Sequence, residues 1–334
     1  MAYDANVLRR ATQRLEEGRR ARGDRLEELR RQAYQRQPRL ERLDRELQAT
    51  MSQLVAAALR QGEDPTRAVQ EIKEHNLEIQ KERAVLLGAM GLPEDALDPK
   101  PECPLCNDTG WRGARMCTCL QKLCAQEQIK ELSKLLPLGE QSFDTFRLDY
   151  YSQTPWPGRG CSPRENMELV YEVCLSYAQK FGRFYFKNLF LSGAPGLGKT
   201  FLSACIARTV SEQGHSVVYD TAGSVFAQFE AQKLQRDSLD GQEARDETRR
   251  YLGCDLLILD DLGSELTTQF TQWALYELMN TRLVAGRHTV ISSNLTLEEA
   301  ARRYSPQIAS RLEGEYHVLH FFGDDIRLLK KRQL

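Results

Sequence analysis

The run NLFLSGAPGLGKT at residues 188–200 constrains this chain more than any other stretch of it. Its apolar first half reads as a short buried strand, and the residues from Phe201 to about Gln213 read as a helix. Between them Gly193, Ala194, Pro195, Gly196, Leu197, Gly198, Lys199 and Thr200 satisfy the G-x4-G-K-T spacing. The glycines let the main chain wrap phosphate oxygens with its N–H groups, and the helix start adds its positive dipole end. Lys199 is placed to reach β- and γ-phosphates, the Thr200 hydroxyl to ligate Mg²⁺, and Phe201 to close the nucleotide-binding set. Such a strand–loop–helix unit belongs to an α/β domain with a parallel sheet flanked by helices.

A second stretch complements the first. Residues 256–261, LLILDD, form a continuous apolar run ending in two carboxylates. The run suits a central parallel strand buried on both faces, with its acids delivered at the C-terminal edge where α/β ligands sit. Asp260 is expected to hold Mg²⁺ and Asp261 to polarise an attacking water. A further strand, residues 289–294, ends in Asn294, which is placed to hold that water or read a γ-phosphate; a plain turn Asn is the competing reading. Thr296 and Glu299 have the spacing of a helix capping box. Arg311 and Arg327 follow, and spacing alone makes each an ordinary surface residue.

The rest of the chain has another texture. At 334 residues it is long enough for two or more units. Formal net charge is −1, so bulk charge does not announce a nucleic-acid binder. No apolar run resembles a leader or a membrane span, and the expected location is the cytoplasm. Residues 1–95 are rich in Arg, Glu, Leu and Gln, and Leu40, Leu43, Leu47, Met51 and Leu54 recur at helical spacing. Glu71, Ile72, Leu77, Ile79 and Leu86 continue the pattern after a break at residues 62–65. The reading is a helical hairpin or short coiled coil for partner binding, its Arg-rich face either solvated or docked on a partner helix. Residues 96–136 form a cysteine-bearing segment and a helix, residues 137–164 a Pro- and Gly-rich linker, and residues 165–334 the α/β domain.

Nine cysteines in a cytoplasmic chain are not a disulfide framework. Cys103-x2-Cys106 and Cys117-x-Cys119 offer two close thiolate pairs to one tetrahedral zinc. Asp108, Gly110 and Gly113 let the chain turn between them. Four protein ligands leave no open position, so the zinc is expected to be structural. Cys124 is a substitute ligand in this reading; a redox pair explains the four-fold clustering poorly.

The set GAPGLGKT, LLILDDLGSE, TVISSNLT, SRL and GDDIR resembles the AAA+ ATPases of the bacterial DnaC/DnaI helicase-loader and IstB group, over about residues 140–334. The CPLCNDTG…CTC segment resembles the zinc-bearing N-terminal part of DnaI-like loaders. The resemblance implies Walker A at residues 193–200, Walker B at Asp260 and Asp261, and sensor 1 at Asn294. It further implies an arginine finger acting on a neighbour's ATP at Arg311, and sensor 2 at Arg327. Asp261 stands where many such proteins carry Glu, which implies slow hydrolysis. The family carries a helical insertion facing single-stranded DNA, here about residues 221–251. Its charges nearly cancel, and Phe226 and Phe229 read as core before stacking platforms. Phe143 and Phe146 either border the adenine or pack.

The implied activity is loading of a hexameric DnaB-type replicative helicase onto single-stranded DNA. Self-association through the AAA+ domains, ATP, Mg²⁺ and structural Zn²⁺ go with it. An IstB-type transposition helper shares the ATPase core, and a nucleotide-gated adaptor with negligible turnover is a third class.

Overall fold

The computed structural model of the chain describes residues 3–58, 66–135, 141–234 and 239–332. Two compact units result: Gln13–Cys117, and Met1–Thr12 together with Thr118–Leu334.

The first unit is helical. Helix α1 (Ala5–Arg36) is followed by α2 (Pro38–Ala58) and α3 (Thr66–Ala89), with α2 and α3 packed as a pair. Leu40, Leu87, Leu97 and Ala33 form its small buried core. The stripe expected on α2 is buried at Leu40 and Leu43. On α3, Ile79 is buried but Leu77 is 45% exposed, and Leu87 takes an inward place instead. The side chains of Met51 and Leu54 and the break at residues 62–65 lie outside the described residues. Arg83 is a buried polar pin: it donates to Asp44 (2.7 Å), Asp98 (2.7 Å) and the Glu94 carbonyl (2.8 Å). Gly91, at φ 71°, ends α3, and Leu92 N–H returns to the Leu87 carbonyl at 3.0 Å, which satisfies a terminal carbonyl. The two-residue strands β1 (Trp111–Arg112) and β2 (Arg115–Met116) pair antiparallel across a turn at Gly113.

The second unit opens, after the first turns of α1, with α4 (Thr118–Leu135) and continues with α5 (Pro163–Gln179). Then β3 (Leu189–Gly193), α6 (Lys199–Glu212), β4 (Val217–Thr221), α7 (Ala222–Leu234) and α8 (Leu239–Gly253) follow. The chain ends with β5 (Leu256–Leu262), α9 (Gln269–Val284), β6 (His288–Ser293), α10 (Leu297–Arg303), α11 (Pro306–Glu315), β7 (His317–Phe321) and α12 (Ile326–Arg332). Strands β3 to β7 form one parallel sheet in the order β4-β5-β6-β3-β7. The apolar runs of β3 and β5 are buried because helices cover both faces, as the continuous patterning requires. One face packs on α5 and α6, the other on α7 to α11. The chain leaves β3 for the opposite edge strand β4, returns through β5 and β6, then crosses to β7. The strand order therefore reverses around β3, and ligand crevices open at such a reversal.

Helix starts follow their local signals. Ser162 and Glu165 form a capping box ahead of Pro163 at α5, and Thr296 and Glu299 form the expected one at α10. The Pro-rich stretch before α5 is packed rather than extended. Phe143 and Tyr151 join the core, through two short 3-10 turns at Phe143–Thr145 and Leu148–Tyr150. Phe226 and Phe229 are core residues of α7. Residues at the start of the chain pack here too: Val7 and Ala11 are buried, and Arg10 pairs with Glu131 at 2.5 Å.

Candidate functional site

The loop at residues 193–200 runs from the end of β3 into α6, as its spacing predicts. Two of its glycines are sterically required. A Cβ at Gly193 would collide with the Phe321 carbonyl of the neighbouring strand β7, and Gly198, at φ 92°, leaves 2.7 Å to the Tyr151 hydroxyl. The Tyr151 hydroxyl in turn donates to the Leu197 carbonyl at 3.0 Å, tying the loop to the segment before α5.

Lys199 Nζ donates to the carbonyls of Gly193 (2.6 Å) and Ala194 (2.8 Å). Those carbonyls satisfy an ammonium whose burial lowers its pKa from the ordinary lysine value, against the opposing pull of Asp260 and Asp261. Asp260 is buried at the end of β5 and is held from three sides. Thr200 Oγ1 donates to it at 3.1 Å, Tyr219 OH at 2.5 Å, and Ser292 Oγ donates to its other oxygen. Burial, then the charge of Asp260, pushes the Tyr219 phenol well above its usual range, so it remains a donor. Asp261 stands differently. At φ 58° it takes a left-handed conformation, and the β5–β6 register shifts between Leu259 and Leu262. This irregularity turns Asp261 to the exposed surface while its N–H donates to Ser292 Oγ at 3.2 Å. Neither Tyr219 nor Ser292 stood out in the sequence; Ser292 sits two residues before Asn294 on β6, and strand periodicity is the signal that would have found it.

A cavity of about 540 Å³ lies over the loop, the size of a small-molecule site. Lys199, Thr200, Phe201, Asp260, Asp261, Asn294 and Arg327 all line it. Of the two aromatics read as adenine neighbours, Phe146 lines it, whereas Phe143 is packed edge-on against Tyr171 at 5.7 Å. Arg327 is mostly exposed and leans on Asp325 at 3.4 Å. Arg311 is not among the cavity residues. It lies over the Tyr276 ring, 5.0 Å from the centroid, and donates to its hydroxyl at 3.0 Å.

The cysteine segment is equally local. The sulfurs of Cys103, Cys106, Cys117 and Cys119 lie within 4.8 Å of one another, and Cys103 and Cys117 are 3.7 Å apart. A Zn–S bond of about 2.3 Å places tetrahedral sulfurs about 3.8 Å apart, so the donor set fits zinc; disulfide sulfurs are about 2 Å apart. Asn107 and Asp108 both take positive φ, and Cys117 N–H donates to the Gly110 carbonyl at 2.8 Å, closing the turn. The Asp108 carboxylate accepts from the N–H groups of Cys103 (2.8 Å) and Glu102 (3.1 Å) and from Arg22 (2.7 Å). Burial opposes its charge, but these donors prevail and hold its pKa below the usual carboxylate range. Cys124 is outside the group of four: it is buried in α4, and burial pushes its thiol up to about 11.

Strand order, phosphate loop and β5 carboxylates together define an AAA+ P-loop ATPase domain. Residues 182–334, somewhat under half of the chain, match the family model described as IstB-like ATP binding protein. A putative insertion sequence ATP-binding protein, y4pL, of Sinorhizobium fredii is 30% identical over 152 residues, covering 44% of this chain and 59% of that protein. The chromosomal replication initiator protein DnaA of Aquifex aeolicus is 27% identical over 150 residues, covering 45% and 36%. The chain thus spans roughly a third to three fifths of the length of these relatives. A crystal structure of the DnaC helicase loader superposes with a TM-score of 0.44 at 18% identity, covering 56% of this chain and 99% of that one. No helix among the described residues is long and apolar enough to cross a membrane.

Proposed function

We propose that this chain is an ATPase of DNA replication that loads a hexameric DnaB-type helicase onto single-stranded DNA. The reading rests on one combination: an IstB-like nucleotide domain preceded by a helical unit and a four-cysteine cluster. Residues 193–201 hold ATP, with Lys199 on the β- and γ-phosphates. Thr200 and Asp260 hold Mg²⁺, which supplies charge neutralisation at the phosphates. Tyr219 and Ser292 fix the Asp260 carboxylate for that task. Asp261, on its irregular strand end, orients the attacking water, helped by Asn294. Water oxygen bonds to the γ-phosphorus, the bond to the β–γ bridging oxygen breaks, and ADP and phosphate leave. Arg327 serves the ATP of its own chain. Arg311, outside its own cavity, serves the ATP of a neighbouring copy, so the AAA+ domains associate to complete the site. Four thiolates hold a structural zinc, and the helical N-terminal residues 1–95 with this knuckle grip the helicase. Hydrolysis releases the helicase on DNA.

The test is capture of the cognate replicative helicase by the full chain and by a chain beginning near residue 138, with ATP–Mg²⁺ and without nucleotide. Capture by the full chain alone supports the loader. Capture by neither sinks it. The second reading, an IstB-type transposition helper, is favoured by the family match and by y4pL, and predicts capture of a transposase and duplex DNA instead.

A further inference from the structure

Among the described residues, Arg311 is held by a single side chain, and that side chain carries no charge. Helix α11 turns Ile308 and Leu312 into the core, and α9 does the same with Leu275, Leu278 and Met279. Arg311 and Tyr276 each stand beside one of these anchors, and both are partly buried where the two helices pack. The guanidinium lies over the Tyr276 ring, 5.0 Å from its centroid, and donates to the Tyr276 hydroxyl at 3.0 Å. Other arginines of the same region meet carboxylates instead. Arg302, on α10, pairs with Glu298 at 3.6 Å, and Arg327 pairs with Asp325 at 3.4 Å.

The difference bears on what Arg311 can do. A carboxylate partner would offset the guanidinium charge and compete with phosphate oxygens for its N–H groups. An aromatic face and a phenol oxygen leave the charge whole and engage one N–H. They also restrain a long side chain that otherwise samples many rotamers, so less freedom is lost when a phosphate is met. We propose that Tyr276 is the positioning residue for Arg311, holding the guanidinium charged and oriented for the ATP of a neighbouring copy. Tyr276 acts only through Arg311 and does not itself touch the nucleotide. The inference rests on the role given to Arg311 above.

The test reads Tyr276 in the chain that supplies the arginine, using full chains with ATP and Mg²⁺. Lys199→Ala chains keep Arg311, and Arg311→Ala chains keep the phosphate loop; each alone is expected to hydrolyse ATP ~100-fold or more below wild type. Mixed in equal amounts, they regain hydrolysis at sites that join one of each. Tyr276→Leu added to the Lys199→Ala chain is expected to cut the regained rate ~10-fold, and Tyr276→Phe, which keeps the ring and loses the hydroxyl, ~3-fold. The Lys199→Ala chain has no working phosphate loop of its own, so a change confined to its own nucleotide site does not move this readout. A regained rate that neither substitution lowers overturns the proposal and leaves the Arg311 reading standing. So does a regained rate that rises, because Tyr276 then withholds the arginine. An equal loss when Tyr276→Phe is placed in the Arg311→Ala chain, where no arginine remains to be oriented, shows a merely structural role and overturns it as well. No regained rate in the first mixture, or a wild-type chain that hydrolyses no ATP, overturns the Arg311 reading and this inference together. Tyr276→Phe preserves the packed ring, so the test does not depend on the larger substitution folding.

Discussion

The cysteine cluster and the end of β5 both crowd metal-ligating side chains together, and they hold them by opposite means. Around Cys103, Cys106 and Cys117 the secondary structure is two strands of two residues each, with turns set by positive-φ residues and by Asp108, and Cys119 sits at the start of α4. Asp260 sits instead on a five-stranded sheet and has donors of its own from Thr200, Tyr219 and Ser292. The first donor set fits a structural metal; the second is shaped by its scaffold.

Metal removal is the largest perturbation that separates the two. Structural zinc in small domains contributes roughly 10–16 kcal/mol of apparent binding energy. A chelator, or Cys106→Ser, is expected to abolish zinc and unprotect the amides of residues 102–117 in hydrogen exchange. ATP affinity is expected to change by less than about two-fold. A parallel loss of ATP binding would end the proposed independence.

Next is Lys199→Ala, which removes the ammonium of the phosphate loop. Hydrolysis is expected to fall by ~100-fold or more, about 3 kcal/mol or more, while zinc content by metal analysis stays at the wild-type level.

Of comparable size, but on stability, is Arg282→Met. Arg282 is fully buried on α9 and donates to the carbonyls of Tyr251, Cys254 and His288 and to the Thr289 hydroxyl. Its loss orphans those acceptors beneath the sheet and is expected to cost about 3 kcal/mol in urea unfolding of the ATPase unit. The cysteine cluster keeps its metal.

The smallest expected effect sharpens the account of Asp260. Tyr219→Phe deletes one of three donors and leaves the ring in place. About 1 kcal/mol is lost, read as a several-fold weaker Mg²⁺ dependence of hydrolysis with unchanged ATP affinity in the absence of Mg²⁺. An unchanged Mg²⁺ dependence would show that Thr200 and Ser292 alone fix the carboxylate.

Legibility in the sequence followed the distance over which a feature is determined. The phosphate loop, the β5 carboxylates, the α10 capping box and the four clustered cysteines were all readable, because each is specified within a short run of residues. The packed state of residues 141–162 was not. Prolines and glycines there mark irregular backbone, and irregular backbone is compatible both with a linker and with the packed layer the structure makes of Phe143, Phe146 and Tyr151. On α3 helical spacing found Ile79 but not the exposure of Leu77, since a stripe only a few residues wide does not specify which edge faces the small core.

The sequence by itself determined which groups can meet phosphate and metal, since a strand–loop–helix turn and a paired Cys motif are local devices. Only the tertiary structure decided what surrounds them. Tyr219 reaches Asp260 because β4 and β5 are neighbours, and Ser292 reaches it because β6 flanks β5 on the other side. Phe146 and Tyr151 line the cavity because the segment before α5 folds back over the loop. Strand order and the folding back of a distant segment are set by the burial of the whole sheet, and that burial is a property of no short run of residues.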